Sequence, residues 1–148
     1  WGASACYTLP QIYCYIHLHV IIGGHPHVIQ PMDYVTGKEG NETLVIYSLG
    51  NFLSAQDEHE RMLGGMARWS ISYNKTTDEI QFKNVEFLPT ITQIEGDYSF
   101  FRTYTLKDYT NDLAARHTLT IQKNQDMTRE YFIQLVNEIM NDKIDIVY

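Results

Sequence analysis

With 148 residues, 44% of them hydrophobic and 20% charged, the chain is long enough for one globular domain with a real core. A net charge of −7 without any Lys/Arg cluster argues against nucleic acid and against an anionic membrane surface as partners. No stretch has the length of a membrane span, since the longest apolar run, residues 12–22, is interrupted by His17 and His19. The chain opens on Trp1 without a basic leader, so no signal peptide is read, and an opening without Met suggests a fragment. Cys6 and Cys14 are too few for a disulfide framework and match no zinc spacing; two free thiols are expected.

Residues 1–19 read as irregular, because residues 12–19 lack helical periodicity. His17 and His19 share a face with Tyr15 if the backbone is extended, and are taken as a polar face. Val20, Ile21 and Ile22 then read as a strand buried on both faces, ended by Gly23 and Gly24. Just past that end stand His25 and His27, with Pro26 between them. In extended backbone, positions i and i+2 point the same way, so both imidazoles are expected to reach into one crevice. The carboxyl end of a buried strand is where α/β proteins place ligands. Imidazole is the commonest neutral metal ligand, and a dinuclear site can take one histidine of the pair on each ion. A bare H-x-H more often merely caps a strand, since a metal needs three or four ligands.

Residues 28–52 read as a hairpin with a turn over residues 36–41, and Leu44 to Tyr47 as a short buried strand. Ser48-Leu49-Gly50-Asn51-Phe52 ends it, with Gly50 allowing a tight reversal. Asn51 and Ser48 are either residues that orient His25 and His27 or parts of an ordinary strand-ending turn. Residues 55–65 form a polar surface loop near the site mouth, and Asp57, Glu58 and His59 read as a solvated charge run. Ala67, Trp69, Ile71 and Tyr73 then alternate with polar residues, which predicts a strand with one apolar face and a turn over residues 75–78. On the return, Ile80 and Phe82 keep the period but Val85 and Phe87 break it by one, so a bulge at Lys83-Asn84 is predicted. Leu88-Pro89 is expected to close this strand, with residues 90–94 pairing again at an edge. Beyond Tyr98 the chain reads as helical. A short helix over residues 105–116 precedes a stronger one over residues 127–141, whose apolar stripe includes Tyr131, Phe132, Leu135, Val136 and Ile139. Asp126 or Thr128 caps it. Residues 143–148 either fray or add an edge strand.

The blocks Gly24-His25-Pro26-His27, Gln30-Pro31 and Tyr47-Ser48-Leu49-Gly50-Asn51-Phe52 resemble the poly-gamma-glutamate capsule biosynthesis (CapA-type) family. That family is similar to the calcineurin-like metallophosphoesterases, whose G-H-x-H motif provides late ligands of a two-metal centre. The resemblance implies an α/β (α+β) fold: the carboxyl-terminal half of a four-layer α/β/β/α sandwich, with a mixed sheet, antiparallel hairpins and terminal helices. It implies one partial domain over 1–148, irregular over 1–19, strand-rich over 20–95 and helical over 96–148. His25 and His27 would be metal-binding and catalytic, with Gly24, Ser48 and Asn51 behind them. The implied cofactors are divalent manganese, zinc or iron, two ions in the full-length protein. The implied partners are capsule polymer or a phosphorylated small substrate, together with capsule-synthesis membrane proteins at the cell surface. The family's earlier motifs are missing: a Gly-Asp, an Asn-Leu-Glu-like block, an Asn-His pair and a His before Trp-Gly. Trp1-Gly2 is followed by Ala3 where the family has Glu-Tyr. The chain is therefore expected to supply two ligands and to be inactive alone as a hydrolase. The alternative is a non-catalytic assembly or anchoring component with a vestigial site.

Overall fold

Three strands make the first sheet: β1 (Val20–Ile22), β2 (Ile29–Thr36) and β3 (Glu42–Leu49). The structure, a computed structural model, describes residues 18–38 and 40–148; Trp1, Gly2, Cys6, Cys14, Tyr15 and His17 lie outside them. The hairpin expected between residues 28 and 52 is present, with β2 and β3 antiparallel from Ile29↔Leu49 to Thr36↔Glu42. The strand order is β1-β3-β2, and β1 runs parallel to β3. Thr43, Leu44, Val45 and Ile46 are all buried, so β3 is the strand covered on both faces. The reading of β1 as buried on both faces is corrected: Val20 and Ile21 are half-buried and Ile22 is 61% exposed. Three aliphatics in a row do not separate a central strand from an outer one; the neighbours do. Pro31, which has no N–H to donate, is placed on the outer strand β2.

The second sheet contains β4 (Leu63–Asn74), β5 (Glu79–Glu95), β6 (Phe100–Thr105) and the short β7 (Asp145–Ile146). Its order is β4-β5-β6, with β7 parallel to β5, so residues 143–148 do add a strand. Arg68 pairs with Glu86 and Ser70 with Lys83, so Trp69 faces both Asn84 and Val85. The extra residue falls within one position of the predicted bulge, and Asn84 takes the left-handed conformation, φ 52°, that absorbs it. Two expectations fail here. Pro89 does not close the strand: β5 runs on to Glu95 in the middle of the sheet. In a strand a residue's N and C=O face the same neighbour, and the Pro89 carbonyl accepts from Leu106 N (2.8 Å), just past the last β5–β6 pair at Thr90↔Thr105. The missing donor therefore falls where the ladder is ending. Nor is the chain helical directly after Tyr98, because residues 100–105 form β6. Gly96, Asp97 and Tyr98, all at positive φ, turn the chain back onto β5.

The apolar face of β4 is only partly a core face. Ala67 and Trp69 pack against the core, but Ile71 is 61% and Tyr73 53% exposed. Beyond Trp69 the sheet is a two-stranded ribbon, since β6 begins pairing with β5 only at Thr90.

Three helices follow: α1 (Asn111–Arg116), α2 (Thr118–Lys123) and α3 (Arg129–Ile139). His117, fully buried between α1 and α2, accepts from Leu119 N at Nδ1 (3.0 Å), which leaves Nε2–H to donate to the Thr92 carbonyl (3.1 Å). Thr128 caps α3 by accepting from Tyr131 N, while Asp126 accepts from the Thr128 N–H and hydroxyl and so holds the cap. Phe132 and Val136 of α3 join Met32, Ile46, Phe87 and Ile94 from both sheets in one core. Asn141 donates to the Met32 carbonyl (2.7 Å) and Lys143 pairs with Asp33 (2.8 Å), tying the carboxyl terminus to β2. The architecture is α+β, with two mixed sheets and three α-helices among the described residues. Among the described residues no helix is long and apolar enough to cross a membrane.

Candidate functional site

Where β1 ends, Gly23 N donates to the Ile46 carbonyl at 2.7 Å. A Cβ on Gly23 would stand 2.4 Å from the Tyr47 carbonyl oxygen, so glycine is required there by space. Gly24 has open space where its Cβ would be and no such requirement. His25 and His27 follow with φ of 97° and 61°. The backbone between them is thus not extended, and the expected same-side projection does not arise from strand geometry. Two left-handed residues around Pro26 bring the rings together instead, with centroids 6.3 Å apart, planes at 45° and both side chains exposed. Such non-glycine conformations cost of order 1–3 kcal/mol each and persist where the surroundings impose them.

The surroundings of His27 are on β3's far end. Gly50, at φ 67°, reverses the chain so closely that a Cβ would lie 2.7 Å from the Leu63 carbonyl oxygen, and this turn presents Asn51. The Asn51 amide nitrogen faces four acceptors: the carbonyls of His27 (3.2 Å) and Arg61 (3.1 Å), Ser54 Oγ (3.3 Å) and Gln56 Oε1 (3.2 Å). Backbone carbonyls only accept, so a reversed amide would set oxygen against oxygen. With the nitrogen on that side, Asn51 Oδ1 faces His27 Nδ1 at 2.9 Å and must accept from it. The neutral imidazole therefore carries its proton on Nδ1 and its free lone pair on Nε2, the form that binds a metal. Ser48 is buried and its hydroxyl accepts from Gly50 N (3.1 Å); among the described residues it shapes the turn and bonds neither imidazole.

The loop after Asn51 was legible only as polar surface, yet it supplies three of the four acceptors. Ser54 Oγ also accepts from Gln56 N (3.1 Å), closing the loop on itself. Asp57 pairs with Lys123 of α2, which holds its carboxyl below the usual range, and its carbonyl accepts from Gln125 Nε2 (3.0 Å). In the 3-10 turn His59–Met62, His59 stacks on Tyr131 with centroids 4.6 Å apart. Burial, then the charges of Glu60, Asp126 and Glu138, push the Tyr131 hydroxyl up to about 12. No spacing in the sequence announces Ser54, Gln56 or the Arg61 carbonyl.

Among the described residues no group of three or more His, Cys, Asp or Glu side chains is placed to hold a metal ion. A tetrahedral ion takes four ligands, and two exposed imidazoles with ring centroids 6.3 Å apart supply at most two of them. The pair thus fits as part of a donor set. A cleft of about 780 Å³, lined by His19, Tyr34, Glu42, Asp78, Ile80 and Phe82, lies at the opposite end of the first sheet, away from both histidines.

Residues 16–56 match the family model described as bacterial capsule synthesis protein PGA_cap. The matched segment contains β1 to β3, His25, His27, Ser48, Asn51, Ser54 and Gln56, and supports a role related to capsule synthesis. No curated protein and no solved structure matches the chain.

Proposed function

We propose that this chain contributes His25 and His27 as ligands to a two-metal, phosphoesterase-like site in a capsule-synthesis protein of the CapA type. The observation that carries this reading is the Asn51–His27 pair inside the segment that matches the capsule family. It keeps the His27 proton on Nδ1 and turns an unprotonated Nε2 outward, while His25 stands beside it with its ring exposed. Divalent manganese, zinc or iron, when bound, would supply a hydroxide nucleophile and charge to stabilise phosphoryl oxygens. His25 and His27 would hold the ions and Asn51 would keep His27 in register, with the remaining ligands coming from outside the described residues. The substrate class is a phosphorylated small molecule or the capsule polymer, the protein partners are membrane proteins of capsule synthesis, and the setting is the cell envelope.

The lack of a third ligand among the described residues favours a second reading, an assembly or anchoring component with a vestigial site. Titration calorimetry with Zn²⁺ and Mn²⁺ separates the two. The metal-site reading expects binding that weakens about tenfold or more in His25→Ala and in His27→Ala. Equal binding by both variants and the unaltered chain supports the assembly component.

A further inference from the structure

The match to the capsule family ends at Gln56, but the next residue, Asp57, is held by Lys123 and Gln125, far beyond the matched segment. We propose that Gln56 is a positioning residue for His27, and that α2 holds it in place through Asp57. This rests on the metal-site reading above and adds to it a part of the chain that reading does not use.

The Asn51 amide has two hydrogens to share among four oxygens. Two of those oxygens, Ser54 Oγ and Gln56 Oε1, belong to one closed loop, since Ser54 Oγ also accepts from Gln56 N. The next residue, Asp57, is held at both its polar ends. Its carboxylate takes the Lys123 ammonium and its carbonyl takes the Gln125 amide. The Gln56–Asp57 unit is therefore fastened on one side to Asn51 and on the other to the end of α2. His59, two residues on, is stacked on Tyr131 of α3, and the Arg61 carbonyl returns to Asn51. A continuous chain of contacts runs from Lys123 and Gln125 through Asp57, Gln56 and Asn51 to His27 Nδ1. Remove the Gln56 oxygen, and the amide of Asn51 keeps the His27 and Arg61 carbonyls but loses the side-chain acceptor that ties it to the loop anchored on α2.

The test reads the tautomer directly, without metal or activity. In the full chain labelled with ¹⁵N histidine, at about pH 8 where imidazole is neutral, multiple-bond proton–nitrogen correlation distinguishes a protonated from an unprotonated ring nitrogen. The unaltered chain is expected to show His27 with Nδ1 protonated. Gln56→Leu is expected to shrink the shift difference between the two nitrogens by half or more, and Gln56→Glu, which keeps an acceptor oxygen, to restore it. Lys123→Gln, which leaves Asn51 and its acceptors intact, is expected to lie between them. Zinc affinity should follow the same order, down about tenfold in Gln56→Leu. If Gln56→Leu and Lys123→Gln both keep the original tautomer while Asn51→Leu loses it, Gln56 is not a positioning residue and the metal-site reading survives. If Asn51→Leu also keeps it, the premise shared by both readings is gone.

Discussion

His25 and His27 sit in backbone conformations that a side chain with a Cβ disfavours, and both are exposed, so neither is held there by its own burial. The restraint comes from the flanks: Gly23 is bonded to Ile46 on one side and Asn51 grips both the ring and the carbonyl of His27 on the other. The two glycines before them are therefore unequal. Gly23→Ala would drive a methyl into the Tyr47 carbonyl, and we expect it to cost about 1–3 kcal/mol. Gly24→Ala meets open space, and should change stability by no more than about 0.5 kcal/mol. Urea denaturation of the two variants checks this; equal losses would mean that the end of β1 is not built as described.

At the scale of elements, the joint between α1 and α2 is a single buried histidine. Burial pushes the His117 imidazole below its usual value, against smaller opposite effects of the Thr92 carbonyl and the Glu95 charge. The unfolded chain takes up a proton near pH 6.5 while the folded one takes it up only at lower pH. In that window the unfolded state binds more protons, so stability falls as pH falls, by up to roughly 1.4 kcal/mol per pH unit. Above pH 6.5 this contribution is fully present; below the folded value the slope vanishes. His117→Gln, whose amide can still donate to Thr92, is expected to flatten the difference between urea melts at pH 7.5 and pH 5.5. An unchanged difference would assign the acid sensitivity to other groups.

Across the whole molecule, the core is concentrated where both sheets and the helices meet, and the β4–β5 hairpin runs past it. Phe87, fully buried, faces Gly65 so closely that its ring fills the place of a Cβ there. Phe87→Ala should cost about 3–5 kcal/mol, while Ile71→Ser and Tyr73→Ser, out on the ribbon, should each stay within about 0.5 kcal/mol. Thermal melts of the three variants decide it, and a large loss at Ile71 or Tyr73 would show that the ribbon is covered in solution. Alternation alone treats Ala67, Trp69, Ile71 and Tyr73 as equivalent, because a period of two reports which face a residue is on and nothing about how far the core extends along that face.

What the sequence alone determined are the features with a local cause. The β2–β3 hairpin follows from a turn-rich segment between apolar runs, the bulge at Asn84 from a one-residue slip in periodicity, and α3 from an apolar stripe behind a Thr cap. The histidine pair was visible as well, but its backbone was not, since extended geometry was assumed where left-handed turns stand. Tertiary structure decided the rest. It made β3 rather than β1 the central strand, carried β5 through Pro89, and set Asn51 among His27, Ser54, Gln56 and Arg61 with Lys123 and Gln125 behind the loop. These outcomes depend on hydrogen-bond partners up to 68 residues apart, and pairing across such a distance leaves no period, cap or turn signal in the residues that take part.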